Sequence, residues 1–269
     1  MTRYFLAIPG VAFLFCALLS PSLAQTTPDT PPPSADASAT PAQAAPVSTE
    51  DLAKLYLIRK DFAAAEVLFR KLTREQPKNA VYWNELGIAM HNQAELDPAK
   101  KCYEKAAKLD SHYADPVNNI GTVWYEHKKY SKAIRAYKRA IAIKDDYSSF
   151  YMNLGYAYFA DKKYEESIAT FHKVLQLDPQ AFDQASSRTG TVVQDRSLDA
   201  DRGRFYFMLA KSFAQAGNLE RCIIYLRKAR DEGFKDIDSA KSDPAFAGVL
   251  KDPAIQEILE PAPPPTAQP

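Results

Sequence analysis

Three short stretches decide the fold of this 269-residue chain: Trp83-Asn84-Glu85-Leu86-Gly87, Val117-Asn118-Asn119-Ile120-Gly121 and Tyr151-Met152-Asn153-Leu154-Gly155. Their glycines stand 34 residues apart. Twelve residues beyond each comes a small residue (Ala99, Ala133, Ser167). Four further on comes an aromatic (Tyr103, Tyr137, Phe171), then after three more a compact apolar residue (Ala106, Ala140, Val174). This period is too long for one helix and too short for a domain. It fits two antiparallel helices and two turns, stacked on copies of themselves. A glycine inside a helix costs roughly 1 kcal/mol against alanine. Its regular return therefore requires a neighbour that comes close, and the spacing predicts that neighbour to be the small residue twelve positions on. Large residues fill the space around this contact: Leu86, Met90 and Tyr103, then Ile120, Trp124 and Tyr137, then Leu154, Tyr158 and Phe171. Asp97 before Pro98 reads as an N-cap followed by the first helical position.

The aromatic-x-x-Leu-Gly block, the Ala-x-x-x-aromatic-x-x-Ala block and the closing Leu177-Asp178-Pro179 resemble the tetratricopeptide repeat (TPR) family. Segments 80–113, 114–147 and 148–181 match well. Segment 46–79 keeps Tyr56, Ala65, Phe69 and Pro77 but has Ala53 in place of the glycine. Segment 203–236 keeps Leu209, Ala210, Phe213, Leu226 and Ala229, with Cys222 at the small position. The resemblance implies an all-α fold, a right-handed α-solenoid of helix pairs with a C-terminal helical cap. It implies a non-catalytic binding scaffold and names no partner.

The ends read differently. Arg3, the apolar run from Tyr4 to Leu19 and the small residues of Ser22-Leu23-Ala24 form a secretory signal, with the mature chain starting at Gln25 in the periplasm or outside the cell. The alternative is one retained transmembrane anchor. Residues 25–47 and 261–269 are rich in Pro, Ala, Ser and Thr and cannot bury enough apolar surface to order themselves. The ordered body is expected over 48–260. The chain carries 34 basic and 33 acidic residues. This balance excludes nucleic acid as the expected partner and leaves membrane contact only to an uncleaved signal. Cys102 and Cys222 fall on second helices of distant repeats, so the sequence predicts two buried thiols rather than a disulfide.

Two departures break the period. About 21 extra residues, 182–202, separate the fourth and fifth repeats. They read as a surface excursion, or as a hairpin or lid that offers Arg188, Thr189 or Gln194 to a ligand. The C-terminal segment 243–260 carries two N-cap signatures, Asp243-Pro244 and Asp252-Pro253, each opening a short apolar helix. Its expected task is to cover the apolar face of the last repeat.

First helices of such arrays line the concave face. Counting along each repeat gives the expected lining: Val81, Asn84, Ile88, His91 and Asn92, followed by Asp115, Asn118, Asn119, Thr122 and Tyr125. Ser149, Met152, Asn153, Tyr156 and Phe159 continue it, then Arg204, Phe207 and Lys211. Asparagines that donate and accept suit the backbone of an extended peptide, and aromatics add contact area. The candidate binding groove is therefore Asn84, His91, Asn118, Asn119, Thr122, Tyr125, Asn153, Tyr156, Phe159 and Lys211. Asn119 and Asn153 match the asparagines with which some TPR proteins hold a C-terminal carboxylate. The cations of such clamps are missing, so carboxylate recognition is not carried over. The asparagines have a second reading, as residues that hold the neighbouring helix. The histidines, His91, His112, His127 and His172, show no metal-binding spacing, and no phosphate loop or nucleophile elbow is present. No cofactor or metal is expected. The expected function is capture of a peptide or protein partner. The alternative is a small-ligand or enzyme-accessory module with the 182–202 insert as a lid.

Overall fold

The computed structural model describes residues 47–182 and 201–260. The signal, the Pro-rich linker before Val47, the tail and most of the insert, with Arg188, Thr189 and Gln194, lie outside the described residues. All the described residues belong to one compact unit, residues 46–269.

Among the described residues there are eleven α-helices and no strand. Five helix pairs follow in order: α1 (Thr49–Ile58) with α2 (Phe62–Glu75), α3 (Ala80–Asn92) with α4 (Leu96–Leu109), α5 (Ala114–Glu126) with α6 (Tyr130–Ile143), α7 (Ser148–Ala160) with α8 (Tyr164–Leu177), and α9 (Arg202–Gln215) with α10 (Leu219–Asp231). Each helix packs chiefly on the helices before and after it in sequence. Two 3-10 turns, Ile237–Lys241 and Pro244–Phe246, precede α11 (Pro253–Leu259).

The hairpin inside each pair is closed by one device. Lys60, Ala94, Lys128 and Lys162 sit at φ 58 to 64°, and Gly217 at 71°. The next residue's N–H then reaches back to the final turn of the first helix: Asp61 to Tyr56 O (2.9 Å), Glu95 to Met90 O (3.0 Å), Lys129 to Trp124 O (2.8 Å), Lys163 to Tyr158 O (2.9 Å) and Asn218 to Phe213 O (2.9 Å). This left-handed cap satisfies carbonyls that a helix end leaves orphaned. Four of the five positions accept it with a side chain, at a cost of roughly 1–2 kcal/mol each. The α4 start differs from the sequence reading. The helix begins at Leu96, and Asp97 lies in its first turn rather than capping it. It faces His127 of the next repeat at 3.6 Å instead.

The glycines also differ in detail from expectation. A Cβ on Gly87 would lie 2.5 Å from the Tyr103 ring, and one on Gly121 2.6 Å from Tyr137. Phe171 fills the same place over Gly155. The aromatic sixteen residues on, not the small residue twelve on, occupies the space that glycine leaves. In the fourth repeat the small residue meets the glycine's backbone, where Ser167 Oγ donates to Gly155 O at 2.9 Å. These fully buried rings are the centres of the successive cores.

At the C-terminus both expected caps are in place. Asp243 accepts from Ala245 N (2.9 Å), and Asp252 from Ala254 N (2.9 Å) and Ile255 N (3.4 Å). Phe246, Ile255, Ile258 and Leu259 are buried in the core of the last pair. Phe246 packs on Phe207 with ring centroids 5.5 Å apart, where a sixth repeat would otherwise stack.

Candidate functional site

The expected groove asparagines are not solvent-facing. Asn84, Asn118, Asn119 and Asn153 are buried, and they form a directed hydrogen-bond relay across three repeats. Asn153 Nδ2 donates to Asn118 Oδ1 (3.0 Å), Asn118 Nδ2 to Asn119 Oδ1 (3.4 Å), Asn119 Nδ2 to Asn84 Oδ1 (3.1 Å), and Asn84 Nδ2 to the Glu85 carboxylate (3.4 Å). The reading in which asparagine holds the neighbouring helix is the one the geometry supports. A buried amide must find partners, and here each shares one bond with an adjacent first helix, the rest being made within its own.

The other expected lining residues are spent on packing in the same way. His91 is buried, paired with Glu126 of the next repeat (2.8 Å) and set against the Tyr103 hydroxyl (3.4 Å). Thr122 accepts from Tyr137 Oη (3.3 Å). Tyr125 rests on Tyr130, with centroids 5.3 Å apart. Tyr156 stacks on Phe205 at 5.6 Å, and Phe159 meets the same ring edge-on at 5.4 Å. Lys211 bridges Glu165 (3.5 Å) and Asp243 (2.9 Å), so it joins the fourth repeat to the cap instead of facing a ligand. Phe207 and Met152 are buried too.

One set of repeat-related positions stays open at its N-terminal end. Its members recur every 34 residues: Val47, Val81, Asp115 and Ser149; Asp51, Glu85, Asn119 and Asn153; Lys54, Ile88, Thr122 and Tyr156; Ile58, Asn92, Glu126 and Ala160. Along α3 they are spaced four, three and four apart, one face of the helix. The stripe is exposed or half-exposed throughout the first two repeats and closes through the third and fourth. Val47 (71%), Ile58 (78%) and Val81 (43%) are three of the five large hydrophobics most exposed among the described residues. Burial holds the Glu85 carboxyl above its usual range, against the lowering hydrogen bond from Asn84, and burial raises Asp115 as well. Sequence counting found Val81, Ile88, Asn92 and Asp115 but gave the first repeat no part. The signal available was the pair Val47 and Val81, apolar residues at repeat spacing that no core position needed.

No cluster among the described residues could hold a metal ion. Cys102 and Cys222 are free and buried, and burial pushes their thiols up to about 11 and about 12. No described helix is long and apolar enough to cross a membrane. A polar cavity of about 310 Å³ lies where the insert rejoins α9, lined by Asp201, Arg202, Arg204, Glu232 and Lys235 among others. Its arginines are engaged there, Arg202 with Glu232 (3.3 Å) and Arg204 with Asp201 (2.9 Å).

Family profiles agree with the repeat boundaries. Tetratricopeptide repeat profiles match residues 80–113, 148–181 and 203–229, and a TPR repeat profile matches 123–162. No curated protein matches the sequence. Among solved structures, MamA is similar at 20% identity over 69% of this chain and 96% of its own (TM-score 0.48). YrrB, described as a TPR protein with an unusual peptide-binding site, is similar at 17% identity over 72% and 91% (TM-score 0.46). The first TPR of Spaghetti (RPAP3), solved with the HSP90 peptide SRMEEVD, is 29% identical over 39% and 82% (TM-score 0.38). With four of its five helix pairs matched as repeats, and all five built and stacked alike, the chain is a tetratricopeptide repeat protein.

Proposed function

We propose that this chain is a non-catalytic scaffold that binds an extended peptide or protein segment along the inner stripe of its first two repeats. The observation that carries this reading is the exposure of Val47, Ile58 and Val81 at repeat-related positions of the first two repeats, together with the exposed or half-exposed Lys54, Glu85 and Asn92. Apolar residues left open together mark an interaction surface, and polar neighbours fix the orientation of what lands there. The test is affinity for peptides selected from a random displayed library against the chain. Ile58→Asp with Val81→Asp changes only exposed positions, so the fold should hold. Each apolar contact is worth roughly 1.5–3 kcal/mol when fully buried. The selected peptides should therefore bind the double variant at least about tenfold more weakly. Unchanged affinity would remove the stripe from consideration.

The apolar segment from Tyr4 to Leu19, followed by Ser22-Leu23-Ala24, supports an exported protein that works in the periplasm or outside the cell. N-terminal sequencing of the protein from cell fractions should find Gln25 first. Met1 in a membrane fraction would mean a retained anchor instead.

A further inference from the structure

The chain is nearly neutral, yet one helix is not. Between His127 and Lys144 stand Lys128, Lys129, Lys132, Arg135, Lys138, Arg139 and Lys144, and not one acid. The other second helices mix signs, as in the pairs Arg70–Glu66 of α2 and Lys100–Glu104 of α4. In α6 the buried face is Ala133, Ile134, Ala136, Tyr137 and Ala140, turned toward α5 and α7. The opposite face carries Lys132, Arg135, Lys138 and Arg139, all exposed, with Lys128 and Lys129 exposed just before it. None of these six forms an ion pair among the described residues. Lys132, Arg135 and Arg139 lie three and four residues apart, like charges at distances that weaken a helix.

Aromatics flank the strip. The half-buried Trp124 indole has the ammonium groups of Lys132, Lys100 and Lys129 at 4.5, 4.9 and 5.2 Å from its centre, and Lys138 lies over Tyr158 at 5.5 Å. The strip is also bounded: Asp145 and Asp146 follow α6, and Glu165 and Glu166 open α8. It lies on a second helix, away from the inner stripe, which runs along first helices.

We propose that the outward face of α6 is a contact surface for anionic lipid headgroups, so that the array rests on a membrane by this helix. An exposed row of cations along one helix face suits an extended charged surface rather than a peptide held in a closed pocket. Several Lys and Arg beside the half-exposed Trp124 suit a charged bilayer surface. Acids at the end of α6 and at the start of α8 border the strip there, which disfavours a long wrapping polyanion. This surface is independent of the inner stripe, and it would bring the mature chain to a membrane without the signal segment.

The test uses unit 46–269, which holds all the described cores and its own cap and lacks the apolar run that would enter any bilayer. Sedimentation with vesicles of phosphatidylcholine, alone or mixed with phosphatidylglycerol, should show binding to the anionic vesicles only, lost at high salt. Each cation near such a surface is worth about 1 kcal/mol, about fivefold. Lys132→Gln with Arg135→Gln and Arg139→Gln should therefore weaken binding on the order of 100-fold with unchanged circular dichroism. If that variant does not fold, Lys132→Gln alone should show its fivefold loss. Arg74→Gln with Lys78→Gln and Lys105→Gln, an equal charge change elsewhere, should bind nearly as the parent does. Equal loss in both triple variants, binding to neutral vesicles, or tighter binding to duplex DNA or polyglutamate than to vesicles would each overturn the proposal. Ile58→Asp with Val81→Asp should leave vesicle binding intact, whatever it does to peptide affinity.

Discussion

Phe246→Ala should destabilise the C-terminal end of the array by about 3–5 kcal/mol, the usual cost of removing a fully buried phenylalanine ring. Phe246 is wholly buried and lies against Phe207, itself sandwiched by Phe234 at 4.8 Å. The substitution leaves Asp243 to cap the turn and to pair with Lys211, so the change is in packing alone. Repeats couple only to their neighbours, and the loss should therefore be local. Hydrogen exchange should show α9, α10 and α11 losing protection while α3 to α6 keep theirs. A uniform loss, or one below about 1 kcal/mol, would mean that the cap is not what closes the last core.

The second large effect is expected at Asn119. Alanine there strips the acceptor from Asn118 Nδ2 and the donor from Asn84 Oδ1, both buried. An orphaned buried polar group costs about 1–3 kcal/mol, so the variant should lose roughly 2–4 kcal/mol by urea denaturation. Asn92→Ala is the contrast. Asn92 is exposed and bonds only Ile88 O of its own helix, so its loss should fall within about 0.5 kcal/mol. Asn119→Ala should also leave affinity for groove-selected peptides unchanged wherever it remains folded. A stable variant that loses peptide binding would restore the asparagine to the role of ligand contact.

The repeat was legible because its spacing and its chemistry say the same thing. A helix glycine and an aromatic sixteen residues later have no reason to recur unless one fills the space of the other, as Tyr137 fills that over Gly121. The cap was legible from Asp243-Pro244 and Asp252-Pro253 for a local reason, since each carboxylate bonds N–H groups within three residues. The site was less legible because position in a repeat gives the face of a helix but not what the next helix covers. Polar side chains at Asn84, Asn118, Asn119 and Asn153 looked like solvent-facing groups, yet their partners were one another. One clue was present. The bonded pairs, Asn84 with Asn119 and Asn118 with Asn153, are 35 residues apart rather than 34, the offset of partners and not of a parallel row. The basic face of α6 was masked by the whole-chain balance, which averages over helices that never meet.

The relay has one further property. At its two linked positions the successive first helices carry Glu50 and Asp51, Asn84 and Glu85, Asn118 and Asn119, Met152 and Asn153, and Phe207 and Met208. Only segment 114–147 owns both halves of the junction, an acceptor in Asn118 and a donor in Asn119. It is therefore its own complement. A tandem duplication of those 34 residues would join copy to copy through the bond that now joins unlike repeats, so the array can lengthen from its middle while both ends stay as they are.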